Sequence, residues 1–155
     1  MRRRCLLAVA ALLLVGLTPW PAAAQTISQS AINVSATNVT LTTTSETAII
    51  ASGPATVPRE TVNVCVIAWA QLTTGTSTST VTPRIRRGTT TGGTLINEAN
   101  AVTIGAAAGS TEQFVAMACE DRAGVATVEY VLTLTQAAAD GNGTALQAGI
   151  FVFVR

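Results

Sequence analysis

Residues 62–72 read VNVCVIAWAQL, and the alternation in this stretch decides the fold class. Successive side chains of a β-strand point to opposite faces. One face then carries Val62, Val64, Val66, Ala68, Ala70 and Leu72, an unbroken apolar set that reads as core. The other carries Asn63, Cys65, Ile67, Trp69 and Gln71, a mixed set that still presents large apolar groups. The same reading applies to residues 144–154, TALQAGIFVFV. Leu146, Ala148, Ile150, Val152 and Val154 make one aliphatic face. Gln147, Gly149, Phe151 and Phe153 make the other.

From Gly149 onward that strand is apolar on both sides. An antiparallel sheet with one wet face alternates apolar and polar residues. Burying a phenylalanine stabilises by roughly 1.5–3 kcal/mol, and an apolar patch left in water invites aggregation. Phe151 and Phe153 are therefore expected under a cover. Either another molecule or an N-terminal segment of the same chain satisfies the pattern.

The remaining chain supports an all-β reading. Threonine and valine are abundant and fit a pleated strand better than a helix. Short period-two runs occur at 31–34, 39–43, 47–51, 81–87, 93–97, 112–119 and 126–136. Small polar connections such as TTGTSTST and AAADGNGT separate them. About 8–10 such strands predict a two-sheet antiparallel sandwich or jelly roll.

The first residues stand apart. Arg2, Arg3 and Arg4 precede an apolar run from Cys5 to Leu17, then Trp20-Pro21 and Ala22-Ala23-Ala24. This order reads as a secretory signal peptide over residues 1–24. The apolar run is shorter than the ~20 residues that cross a bilayer. Residues 25–155 then form a single domain, expected in a secreted or extracytoplasmic setting. Beyond residue 24 remain six arginines and eight acids, a net charge of −2. That balance gives no general attraction to nucleic acid or to an anionic membrane. Cys65 and Cys119 are the cysteines left, and an exported setting favours a disulfide over two buried thiols.

The strand count, strand order and the ending ALQAGIFVFV (145–154) resemble the jelly roll of tumour-necrosis-factor-like and complement-type globular heads. The run QLTTGTSTSTVTPRIRRGTTTGGTL is similar to segments of bacterial and phage surface or virion proteins. The resemblance implies an inner sheet, containing the last strand, whose outer face packs into a homotrimer. Ile67, Trp69, Val115, Phe151 and Phe153 become interface candidates. The family layout also sets strand 62–72 antiparallel beside 112–119. If Cys65 faces Cys119 there, Trp69 faces Val115 and Leu72 faces Glu112.

Little in the sequence points to catalysis. The stretch RIRRGTTTGGTL (84–95) has glycines spaced loosely like a phosphate loop, but the chain contains no lysine to reach the phosphates. Arg84, Arg86 and Arg87 lack aromatic neighbours, which argues against nucleic acid. A hairpin fits best. Arg84 and Arg86 share a strand face, where they pair with Glu129 or another acid, or contact an external anion. Without histidine, the familiar Ser-His-Asp and Cys-His arrangements are absent. Glu120 and Asp121 are adjacent and point to opposite sides of a strand. DGNGT (140–144) is similar to a calcium loop but has too few carboxylates. No cofactor or metal is expected. The reading is a non-enzymatic structural or binding domain, self-associating, with a surface protein or glycan as further partner. A monomeric carbohydrate- or small-ligand-binding sandwich is the alternative.

Overall fold

The computed structural model describes residues 28–41, 44–58, 62–74, 77–107, 109–124, 126–137 and 141–155. The expected signal peptide lies outside them. Eleven strands run in the order β1 (Ser28–Thr40), β2 (Glu46–Ala51), β3 (Ala55–Val57), β4 (Val62–Thr74), β5 (Ser79–Arg87), β6 (Thr94–Glu98), β7 (Val102–Ile104), β8 (Thr111–Arg122), β9 (Ala126–Val128), β10 (Tyr130–Gln136) and β11 (Gly143–Val154). All pairings are antiparallel.

Sheet I has the order β1-β11-β4-β8, and sheet II the order β2-β10-β5-β6, with β7 also beside β5. Successive long strands cross from one sheet to the other. The result is a two-sheet jelly-roll sandwich, the expected fold class. β3 and β9 form a separate ribbon, and its Ala55, Val57 and Val128 join the core.

The core lies between the sheets. Val64, Val66, Ala68, Ala70 and Leu72 of β4 are all buried, as the alternation of residues 62–72 requires. Ile85, Leu132 and Leu134 meet them from sheet II. Many positions on the inner face of sheet I are alanine, so the bulk of the core comes from the β-branched and leucine residues.

Several expectations change. Segments 31–34 and 39–43 belong to one strand as far as Thr40; the break between them is a register irregularity between Ala36 and Val39. Segment 126–136 divides at Glu129. The Glu129 carbonyl accepts from Gly88 N–H at 2.7 Å, and beyond it the chain leaves the β3 ribbon for sheet II. β3 and β7, three residues each, were not anticipated, because so short a strand carries no measurable alternation. Leu146 was expected on the inner aliphatic face. A bulge between Ala145 and Gln147 removes it from the pairing with β4, so Ala145 is buried and Leu146 is half-exposed.

The turn from β5 to β6 is the hairpin expected in RIRRGTTTGGTL. Gly88 has φ +118°, and a Cβ on Gly93 would sit 2.2 Å from the Arg87 carbonyl oxygen. The backbone there can close only without side chains at those points.

Cys65 and Cys119 are joined by a disulfide across β4 and β8, with Cα atoms 4.1 Å apart and a sequence separation of 54. The register around it is Trp69 opposite Val115 and Leu72 opposite Glu112, as the family layout implied. Closing a loop of this length removes about 4 kcal/mol of unfolded-chain entropy. Replacing both cysteines by alanine is expected to lower stability by about 3 kcal/mol. A urea titration checks this, as a lower midpoint with the secondary structure unchanged.

Candidate functional site

The outer face of sheet I is built by register. In an antiparallel pair, opposed residues project from the same side. Phe153 lies beside Cys65, which lies beside Cys119. Phe151 lies beside Ile67 and then Met117. Gly149 lies beside Trp69 and then Val115. These are three successive rows of apolar groups. The next row, Gln147, Gln71 and Gln113, is polar across all three strands. At the opposite end, the Asn63 amide donates to the Asp121 carboxylate at 3.1 Å. The apolar band is therefore bounded by polar rows on two sides.

All five interface candidates, Ile67, Trp69, Val115, Phe151 and Phe153, fall within this band. Ile67, Trp69, Phe151 and Phe153 are half-buried. Val115 is 71% exposed. Two members were missed. Met117 is 61% exposed and Val34, opposite Gly149 on β1, is 58% exposed. Met117 sits two residues from both Val115 and Cys119, so its face was legible. Val34 was hidden because the irregular pairing of β1 blurs its alternation. The described N-terminal strand does not cover the phenylalanines. β1 pairs beside β11 in the same sheet and extends the face.

Gly149 explains how Trp69 lies flat. A Cβ at residue 149 would stand 2.2 Å from Trp69 Nε1 and 2.7 Å from Cε2. The indole occupies that space. Beside it, Cys65, Ile67, Met117, Cys119, Phe153 and Arg155 line a shallow apolar depression of about 300 Å³. The outer edge of the band is β8. There the Asn97 side-chain amide donates to the Met117 carbonyl at 2.8 Å, so that carbonyl points away from β4. Residues 117 and 119 are thus non-hydrogen-bonded partners of β4, the pair type in which Cα atoms approach most closely. This explains why a disulfide fits at Cys65 and Cys119.

The outer face of sheet II has opposite chemistry. Glu46 is the hub. Arg86 donates to both of its oxygens, at 2.6 and 2.7 Å, and Arg84 reaches it at 3.4 Å. The Thr133 hydroxyl also donates to it. Arg84 donates to Glu98 at 2.6 Å and to the Thr135 hydroxyl at 2.8 Å. Arg86 also donates to the Gly93 carbonyl. Arg84 and Arg86, the candidate contacts for an external anion, are thus held by carboxylates of this chain. The acids are Glu46 and Glu98 rather than Glu129. The network lies over the central strand, and Thr133 beneath it is fully buried.

The paired hydrogen bonds from Arg86 hold the Glu46 carboxyl below its ordinary pKa, against an opposing push from burial. At one end of the sandwich, Arg87 on sheet II donates to Glu120 on sheet I at 2.6 Å. The Tyr130 hydroxyl donates to the other oxygen at 2.7 Å. Burial, followed by the Glu120 contact, pushes the Tyr130 phenol well above its usual range. Glu120 and Asp121 turn to opposite sides, so they do not form a working carboxylate pair. No group of three or more His, Cys, Asp or Glu side chains among the described residues is placed to hold a metal ion.

No protein-family model matches this chain, and no curated protein matches it.

Two outcomes follow from these contacts. Gly149→Ala is expected to displace the Trp69 indole and destabilise by about 1–3 kcal/mol, as overpacking does. Denaturation measures the loss, and the tryptophan emission, read against Trp69→Phe, reports the displaced ring. Glu46 contributes stability that is present above the unfolded carboxylate value, near 4.5. That contribution is lost as pH falls from there through the lower folded value. Glu46→Gln is expected to cost about 2 kcal/mol at neutral pH and to flatten the stability profile below pH 4.5.

Proposed function

We propose that this chain is a non-enzymatic exported domain that self-assembles as a homotrimer through the outer face of sheet I. The observation that carries this reading is the apolar band itself. Three rows of large apolar groups lie on a solvent face, with polar rows at both ends and Val115 and Met117 mostly exposed. A water-facing sheet ordinarily alternates instead, as sheet II does with its arginine and glutamate network. Patches of this kind mark association surfaces.

A second copy is the occupant that fits best. The band is bounded like an interface, with an apolar centre and a polar rim. Three copies rather than two is the number that the strand order β1-β11-β4-β8 supports, through its likeness to tumour-necrosis-factor-like and complement-type heads. In such an assembly the sheet II face and the β5–β6 turn, with Thr89 and Thr90 exposed, stay outside. They are the surfaces offered to a surface protein or glycan. The leader read at residues 1–24 and the disulfide agree with an extracytoplasmic location.

Light scattering on a sizing column tests the reading. The purified protein is expected at three times the protomer mass. Val115→Asp with Met117→Asp is expected to give monomers with an unchanged circular dichroism spectrum, because both side chains are already mostly exposed in the protomer. A wild-type protein that runs as a monomer at all concentrations would overturn the assembly reading and favour a monomeric ligand-binding sandwich.

A further inference from the structure

A second site lies away from the apolar band and shares no residue with its depression. The end of β5, the end of β8 and the β3–β9 ribbon enclose a cleft of about 460 Å³, lined by Arg87, Arg122, Thr127, Glu129 and Pro54 among others. This volume falls within the range of small-ligand pockets, ~300–1,000 Å³.

The charges in this cleft are arranged unlike those elsewhere. Arg84, Arg86 and Arg87 each have a carboxylate within 4.0 Å. Arg122 has none among the described residues, although it is partly buried. Its Nε is fully buried with no hydrogen-bond partner. A buried donor without an acceptor costs free energy. Glu129 lines the same cleft, yet it forms no ion pair with Arg122. Its backbone is pinned there by the hydrogen bond from Gly88 N–H. The lining of the cleft thus combines Arg122 and Glu129, neither of them ion-paired among the described residues, with the exposed Thr127. Arg87 adds positive potential but is committed to Glu120.

We propose that this cleft binds an acidic sugar, a hexuronic acid unit. Its carboxylate accepts from the guanidinium of Arg122, which lines the cleft. Its hydroxyls donate to Glu129 and exchange hydrogen bonds with Thr127. A simple anion would satisfy Arg122 but would be repelled by Glu129. A neutral sugar would leave Arg122 without an acceptor. The lining holds no aromatic ring, so recognition rests on the carboxylate and hydroxyls. The site does not depend on assembly through sheet I.

Titration of the purified protein with sodium glucuronate, followed by amide chemical shifts, tests this. Saturable shifts at Gly88, Thr127 and Glu129 are expected, with glucose and acetate each binding much more weakly. Arg122→Gln is expected to weaken binding by about tenfold or more, the loss of a charge-assisted pair. Glu129→Gln is expected to weaken glucuronate and to strengthen acetate. Glu112→Gln, on the exposed end of β8 away from the cleft, is expected to leave binding unchanged. Should Arg122→Gln unfold, Thr127→Val provides the independent reading, with a smaller loss for glucuronate and none for acetate. Absence of saturable glucuronate binding, acetate binding as tightly as glucuronate, or undiminished binding in folded Arg122→Gln would each overturn the proposal.

Discussion

Everything in sheet I depends on the register of β4 between β8 and β11. β4 is apolar on both sides, and its two neighbours are locked opposite it for nearly its whole length. A shift of one residue would exchange the two faces of a strand. It would turn Ile67 and Trp69 inward and Val64, Val66 and Leu72 outward, and it would separate Cys65 from Cys119. The disulfide and the packing therefore enforce the same alignment. The outer face follows from it: once the register is set, Phe151, Ile67 and Met117 have no arrangement except side by side.

The two outer faces of the sandwich solve the same problem in different ways. Sheet II covers its central strand with charge, through a guanidinium and carboxylate network that leaves Thr133 buried. Each member of that network has its partner within the chain, so the face is complete in water. Sheet I instead carries a central apolar band between its polar rows, with Val115 and Met117 open to water. The contrast bears on what each face is for. An apolar face with polar borders gains by losing contact with water.

The sequence discloses these features unevenly. β4, β5, β8 and β11 are long, and their alternation states both the strand and its faces. The apolar band is legible because it is written along single strands two residues at a time. The partner of Arg86 is not, because Glu46 reaches it across β10 from a strand 40 residues earlier, and no local pattern encodes that distance. Leu146 misleads for a related reason. One extra residue in a bulge reverses the face of everything before it, and the composition of the segment looks the same with or without it. Arg122 gave no signal in the sequence. Its environment is made by the β3–β9 ribbon, whose strands are too short to read.

Asn97 has a consequence for how large any assembly of this protein grows. Stacking one face on another leads to a closed set of copies with a fixed stoichiometry, whereas adding strand to strand along an open sheet edge has no intrinsic stopping point. β8 is such an edge, and the apolar side chains beside it would favour indefinite extension into a filament. Its Met117 carbonyl, midway along, is already taken by the Asn97 amide. A strand arriving from another copy would have to displace that bond and steer around the segment that carries it. One side-chain amide thus takes a main-chain acceptor midway along the β8 edge, so a strand arriving there meets a ladder that is already interrupted.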